Sequence, residues 1–503
     1  MTRDPSTLSL GALLRAVAAE HGPRTSMIAD VSPARAWSWA ELDAEVDRAV
    51  AHMVGHGVAF GDPVAYILHK RPEVVIGMFA CARVGAVYVP VNHKLTAAQV
   101  RDQLATAGVR YVVFEPAFAA LAAALDGAGG RVVPLDAWTP ESEPLAIGVV
   151  PDVSPDAPVY YNYTSGSTGR PKGAITTSRQ IIKNAVYTAE GLGFRPDDVY
   201  LGMFSVFAHP HELYHRSLLY GGAFVISDSM SPRHIADLVR IHGITWMMAV
   251  PSFYEMMLDH AQGGATPMPS LRVLEAGGAW VSPEALERME RAFSARFLPV
   301  WGSTETTGVG LGMLAEGPRR PGSTGKPIPG YGVRVVRDDG SDAAIDEVGE
   351  LWMRSDATSV GYVNQPEETA AQFVDGWYAT RDLVRIDADG FVWFSGRVSE
   401  MLKIGGIRVF PLEIEQVIAT HPEVRGVVVV RAEDRLRGEI ARAIVQRAPG
   451  STVDARAVQA WCRARIASYK VPRIVELWDE IPRLPNGKID KKAVLARPPG
   501  EGA

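Results

Sequence analysis

Between residues 37 and 115, short apolar runs alternate with segments whose apolar positions recur at helical spacing. Pro63-Val64-Ala65-Tyr66-Ile67-Leu68 reads as a strand, Glu73 to Val84 as a helix and Ala86 to Pro90 as a second strand. A helix from Thr96 to Ala107 then leads into the strand Arg110 to Phe114. This alternation predicts parallel β/α layers, because each crossover helix covers a face of the sheet it crosses. A second β/α series spans Val199 to Val300. From Gly332 to Trp393 the pattern becomes short strands bounded by turns such as Asp339-Gly340 and Asp389-Gly390, which predicts a small β-rich subdomain. After Gly396 come a loop, a helix from Pro411 to Thr420, a strand from Gly426 to Arg431 and a final helix and strand up to Leu477. That is an α+β cap of about a hundred residues. The stretches Ala119 to Gly130 and Pro140 to Pro158 read as surface connections, and Met1 to Glu20 as an amphipathic segment carrying Leu10, Leu13, Leu14 and Val17.

A chain of 503 residues with 47% hydrophobic content exceeds what one core can organise, so two units are expected, 1–398 and 399–503. The net charge of −6 comes without a dominant cationic run, which argues against nucleic acid or an anionic membrane as partner. No apolar run is long enough to span a bilayer. The two cysteines, Cys81 and Cys462, lie far apart in segments that read as packed helices. Inert thiols in a reducing compartment, the cytoplasm, are therefore expected.

Candidate chemistry concentrates in Tyr163-Thr164-Ser165-Gly166-Ser167-Thr168-Gly169-Arg170-Pro171-Lys172-Gly173. Its glycines let the backbone approach an anion, while hydroxyls, backbone N–H groups and two cations donate hydrogen bonds to it. Val159 to Tyr161 reads as a strand entering this loop and Ile175 onward as a helix leaving it, a geometry suited to phosphate. The loop is not a Walker motif, because Lys172 follows proline and precedes glycine. By composition alone it also fits an ordinary surface connector.

The loop resembles the hallmark of the adenylate-forming superfamily: acyl-CoA synthetases, peptide-synthetase adenylation domains and firefly luciferases. The resemblance is collinear through Gly277-Gly278-Ala279, Trp301-Gly302-Ser303-Thr304-Glu305, Tyr378 to Asp382, Gly396 to Glu415 and Pro482 to Lys488. It implies a mobile C-terminal cap and a nucleotide site for ATP. Thr164, Ser165, Gly166, Ser167, Thr168, Gly169 and Lys172 would hold its phosphates, Gly277, Gly278 and Ala279 its adenine, Asp382 both ribose hydroxyls and Arg397 its ribose or phosphate, beside Trp301 and Gly302. Glu305, with Thr164, would serve Mg2+, Thr304 would touch the α-phosphate, and Lys488 would bridge the substrate carboxylate to that phosphate. Taken alone, Glu305 also fits a helix cap and Lys488 a solvated turn.

The same resemblance makes Ser399 the hinge, in place of the usual Asp or Lys, and puts Lys403, Gly405 and Gly406 along the path of a pantetheine thiol. The acceptor it implies is CoA, or a carrier protein's phosphopantetheine. Arg381 stands where the family usually has glycine before the ribose aspartate. His209, in the run Phe204 to Leu213, falls on the family's acyl gate. His209, His211 and His215 also invite a zinc reading, which no suitably spaced carboxylate or cysteine completes; a pH-sensitive acyl pocket is the preferred expectation. The loop Met401 to Pro411 is similar to that of benzoate-type ligases and favours a compact aromatic acid, while the histidine-rich pocket segment is unlike theirs and leaves a medium aliphatic acid open. The function the resemblance implies is an AMP-forming carboxylate:CoA ligase that makes an acyl-adenylate, releases pyrophosphate and then forms a thioester. The rival readings are a carrier-loading acyl-AMP ligase, a non-catalytic nucleotide- or acyl-binding regulator and, more remotely, a luciferase-like oxygenase.

Overall fold

The computed structural model describes residues 4–31, 34–125, 131–135, 152–164, 171–262, 268–434, 438–483 and 489–500. Two large β/α sheets share one core. The first has six strands in the order Arg131–Pro134, Tyr111–Phe114, Pro63–Ile67, Val87–Pro90, Pro158–Thr164 and Lys172–Thr177. All neighbours are parallel except the last pair. The predicted alternation is thus present, with the helices Pro72–Val84 and Ala97–Ala107 as crossovers. Thr96 and Gln99 form a reciprocal capping box that starts the second helix, and Gly108 ends it in the left-handed region at φ 66°. The stretch expected as a surface connection contains a short helix, Ala119–Ala123, because Ala122 and Leu125 bury against the sheet.

The second sheet has nine strands, with the parallel series Arg296–Ser303, Val273–Ala276, Trp246–Ala249, Tyr200–Gly202, Phe224–Ile226 and Thr25–Ala29 at its centre. Helices Pro72–Val84 and Ser178–Leu192 contribute to the core joining the two sheets, which includes Phe79, Tyr88, Tyr160, Ile181, Tyr200, Phe224 and Trp246. Lys70 also joins the sheets, donating from Nζ to the Gly202 carbonyl at 3.2 Å. Its burial lowers the ammonium to about 8.

One local expectation is overturned. Ile175 does not begin a helix: Lys172–Thr177 is a strand that turns back antiparallel to Pro158–Thr164, pairing Thr164 with Lys172. Ile175, Thr176 and Thr177 are β-branched, and the open ladder of the incoming strand pairs their backbone. The helix begins at Ser178, capped by Thr177 with Gln180 in return. The candidate phosphate loop therefore spans a β-hairpin.

The β-rich subdomain is an antiparallel sheet of Gly332–Val336, Gly349–Arg354, Trp377–Ile386, Phe373–Val374 and Val392–Arg397. A C-terminal domain follows, built on the strands Leu402–Ile404, Ile407–Val409, Val424–Asp434, Gly438–Arg447 and Ile474–Trp478 with the helices Pro411–Ala419 and Ala455–Arg463. It has its own core around Val409, Ile414, Val429, Ala443 and Cys462. Cys81 and Cys462 are free and buried, and burial pushes their thiols up to about 12 and about 11. Among the described residues, no helix is long and apolar enough to cross a membrane.

Candidate active site

The hairpin brings Thr164 and Lys172 to the base of the loop. Ser165, Gly166, Ser167, Thr168 and Gly169 lie outside the described residues, and so does Lys488. The Lys172 ammonium is paired with the Glu368 carboxylate and lies 3.4 Å from Gln372 Oε1. Both partners belong to the short helix Pro366–Gln372.

Thr304 and Glu305 sit in the turn between the antiparallel strands Arg296–Ser303 and Gly308–Gly312. A hairpin turn rules out the helix-cap reading of Glu305. Gly302 is required for close approach, since a Cβ there would lie 2.3 Å from the Gly308 carbonyl oxygen. Within the turn, Thr306 Oγ1 donates to the Gly308 carbonyl at 2.7 Å and accepts from Ser303 N–H at 2.9 Å. Thr307 adopts φ 53°, an unusual conformation for a β-branched residue. Its carbonyl accepts from His211 Nε2 at 3.2 Å, and the Tyr160 hydroxyl lies 2.8 Å from His211 Nδ1. A carbonyl can only accept, so Nε2 carries the proton and Nδ1 accepts from Tyr160. One imidazole thereby clasps the Glu305 turn to the strand that enters the loop.

The clasp is dry. Burial lowers His211 to about 3 and holds His215 well below its ordinary value. The expected pH-sensitive acyl pocket is therefore not carried by these two rings, which stay neutral because desolvation opposes the charged form. Among the described residues, no group of three or more His, Cys, Asp or Glu side chains is set to hold a metal. His209 leads the single 3-10 turn Pro210–Leu213, with its ring 6.1 Å from that of His211.

Glu305 Oε1 accepts from the Tyr362 hydroxyl at 2.7 Å, while the Glu305 carbonyl accepts from Ser359 N–H at 2.7 Å. The same hydroxyl also lies against Gln372 Oε1, which faces the Lys172 ammonium, so Glu305 and Lys172 belong to one network. Thr304, beside Glu305 in the turn, is held separately: Asn162 Nδ2 donates to the Ala208 carbonyl at 2.9 Å and lies 3.5 Å from Thr304 Oγ1.

A second group forms where the β-rich sheet meets the large domain. Asp382 accepts from Trp301 Nε1 at 2.8 Å and pairs with Arg397 Nε at 3.0 Å. Burial raises its carboxyl above the ordinary value, and the Arg397 guanidinium and the Trp301 N–H oppose that rise. Arg381, at φ 64°, holds the left-handed conformation that glycine adopts more cheaply; its N–H donates to Glu350 Oε1 at 2.9 Å, and its half-exposed guanidinium lies 3.9 Å from the same carboxylate oxygen.

Gly277, Gly278 and Ala279 follow the strand Val273–Ala276. Behind that strand end, Glu275 receives Arg216 at 2.5 and 2.9 Å and Trp246 Nε1 at 2.7 Å, all fully buried. In the C-terminal domain, Gly405 and Gly406, at φ 58° and 83°, form a two-residue hairpin turn beside Lys403. This hairpin abuts the β-rich sheet through the Arg408–Asp338 ion pair. Glu400, in the single turn Val398–Glu400, pairs with Lys491 at 2.6 Å.

The structure thus unites Lys172 and Glu305 in one network, with Thr304 next to Glu305 in the same turn, and Trp301, Asp382 and Arg397 in another. Sequence reasoning missed Tyr160, Asn162, Tyr362, Glu368 and Gln372, which reach these networks from other strands and from a short helix and belong to no local motif.

Two large-domain sheets, a β-rich sheet and a C-terminal domain around such networks define an enzyme that handles a nucleotide. Residues 14–363 match the model of the AMP-binding enzyme family, and residues 413–488 match that of the AMP-binding enzyme C-terminal domain. The chain belongs to the AMP-binding enzyme family. It is 32% identical to the indoleacetate–CoA ligase of Aromatoleum aromaticum over 92% of this chain and 93% of that protein. It is equally 32% identical to the fatty acid–[acyl-carrier-protein] ligase ScoC of Streptomyces coeruleorubidus, over 96% of each. The ATP-bound crystal structure of MatB from Rhodopseudomonas palustris superposes with a TM-score of 0.87 at 26% identity, covering 96% of this chain and 98% of MatB.

Proposed function

We propose that this enzyme joins a small carboxylic acid to the α-phosphate of ATP and passes the acyl group to the thiol of CoA. A carboxylate oxygen attacks the α-phosphorus and the α–β phosphoanhydride breaks, releasing pyrophosphate. The thiolate then attacks the acyl carbon and AMP leaves. The observation that carries this reading is the Trp301–Asp382–Arg397 group at the root of the same hairpin that presents Thr304 and Glu305. A ribose held by the first leaves the α-phosphate toward the second. Charge repulsion between the two reacting anions is the main barrier, and positioned cations lower it. Lys172 serves the polyphosphate, and Lys488 bridges the acid and the α-phosphate from the C-terminal domain. Glu305, linked through Tyr362 to the network at the base of the phosphate loop, would hold Mg2+ together with Thr164, since Mg2+ takes one or two protein carboxylates together with substrate phosphates. When bound there, Mg2+ supplies charge neutralisation on the phosphates.

The domain boundary falls at 398/399, where Val398–Glu400 forms a single turn about which residues 399–503 rotate between the two half-reactions. Lys403, Gly405 and Gly406 then line the thiol's path, and His209 faces the acid. A compact aromatic acid is the preferred substrate class, supported by the relative that is an indoleacetate–CoA ligase. The carrier-protein relative supports a second reading in which the acceptor is a phosphopantetheine arm.

Incubation with ATP, magnesium and a panel of aromatic and aliphatic acids, with and without CoA, tests both readings by mass spectrometry. Acyl-CoA from an aromatic acid is expected. Acyl-AMP that persists despite CoA moves the reading to a carrier protein, and no acyl-AMP from any acid overturns it. Lys488→Ala is expected to lower adenylation about 10²–10³-fold while ATP binding is kept; unchanged adenylation would remove Lys488 from its role.

A further inference from the structure

Lys172 opens the return strand of the hairpin, and its side chain is only 6% exposed. Three groups enclose the ammonium: the Glu368 carboxylate in direct ion pairing, Gln372 Oε1 at 3.4 Å, and the face of the Tyr362 ring at 5.3 Å. The helix that supplies Glu368 and Gln372 is fastened to the same arm, since Gln365 Nε2 donates to the Pro171 carbonyl at 3.1 Å. Among these three partners only Glu368 carries a full opposite charge. It is also the most easily released, because its side chain is 34% exposed and water can take over its solvation.

An ammonium between two anions is shared between them, and the anions repel each other. We propose that Glu368 sets nucleotide affinity, its carboxylate competing with the polyphosphate oxygens of ATP and pyrophosphate for Lys172. The proposal rests on the reading of the Tyr163–Gly173 loop as the phosphate site. Gln372 and Tyr362 hold the lysine stem in place whichever anion it faces, so the exchange needs no backbone movement. The consequence is a weaker hold on pyrophosphate, which favours its departure after adenylation.

The test is equilibrium binding, without any acid substrate, of magnesium-ATP, inorganic pyrophosphate and AMP to the full chain and to Glu368→Gln. Binding of ATP and pyrophosphate is expected to tighten about tenfold at low salt, with a smaller gain at high salt as screening weakens the competition. AMP, which lacks the β- and γ-phosphates, is expected to bind unchanged. In a Lys172→Gln background the gain is expected to vanish, because no shared cation remains. Unchanged or weaker ATP binding by Glu368→Gln overturns the proposal and leaves Glu368 as a support for the lysine. A gain that survives without Lys172, or that extends equally to AMP, overturns it too. Glu368→Ala, with folding checked by circular dichroism, repeats the measurement without the Gln amide. If the unsubstituted chain binds neither ATP nor pyrophosphate, the nucleotide-site reading itself fails; if it binds both and the variant binds no tighter, only the role of Glu368 fails.

Discussion

The floor of this site and its rim handle charge in opposite ways. On the floor, the Arg216 and Glu275 side chains are 1% and 0% exposed and locked together, with Trp246 and Thr188 completing their hydrogen bonds. At the rim, Arg397 is 57% exposed and Glu368 34%, and each faces a single buried partner, Asp382 or Lys172. A buried pair cannot exchange partners, because freeing either charge in a dry interior is costly. A half-exposed charge can be released to water or to a ligand. The floor therefore fixes the strand that leads to Gly277, while the rim keeps its charges available.

Removing one member from each region is the most forceful way to break this contrast. Glu275→Ala strands Arg216 in the core and is expected to cost about 3–5 kcal/mol in urea unfolding followed by tryptophan fluorescence. Arg397→Ala is expected to cost less, about 1–2 kcal/mol, because Asp382 keeps the Trp301 N–H and can take up a proton, with its effect appearing mainly as weaker ATP binding. Similar losses of stability for the two variants would erase the distinction.

A pH series sharpens it. Burial raises the Glu212 carboxyl to about 8 from an ordinary 4.5, with Arg216 opposing and Glu275 adding to the rise. The folded chain then holds a proton that the unfolded chain has released, so this stability is complete below pH 4.5 and is lost as pH rises toward about 8. Glu212→Gln keeps the shape and cannot ionise. Its melting temperature is expected to exceed that of the parent by roughly 2–5 °C at pH 8 and to match it near pH 4.5. His211 acts on the acid side: held down to about 3 from 6.5, it makes stability fall as pH drops below 6.5. A flat difference between the Glu212→Gln and parent melting curves across pH would refute a neutral buried carboxyl.

The smallest effect is expected at the rim's backbone. Arg381→Gly relieves a left-handed residue but loosens the unfolded chain, for a net gain of about 0.5 kcal/mol in thermal unfolding. A loss of stability would mean that the Arg381 side chain contributes more than its solvent exposure implies.

The β/α series, the β-rich subdomain and the C-terminal cap were legible in the sequence, because hydrophobic period is a local property and the strands at Pro63 and Val87 carry it plainly. The reading failed at Ile175, where a segment of mixed preference was decided by the ladder of Pro158–Thr164 rather than by its own spacing. The motif residues Trp301, Glu305 and Asp382 were likewise found from short ordered patterns. Their supports were not: Tyr160 stands 51 positions from His211, and Tyr362 stands 57 from Glu305.

The amino-acid sequence alone determined the order of elements, the family's chemical groups and the places where glycine had to stand. Only the tertiary structure decided that the phosphate loop spans a hairpin, that His211 is a neutral clasp rather than a pH sensor, and that Lys172 is shared with Glu368. Propensity and motif act over a few neighbouring residues. Burial and ion pairing depend on which distant segments meet, and folding sets them by bringing apolar faces together.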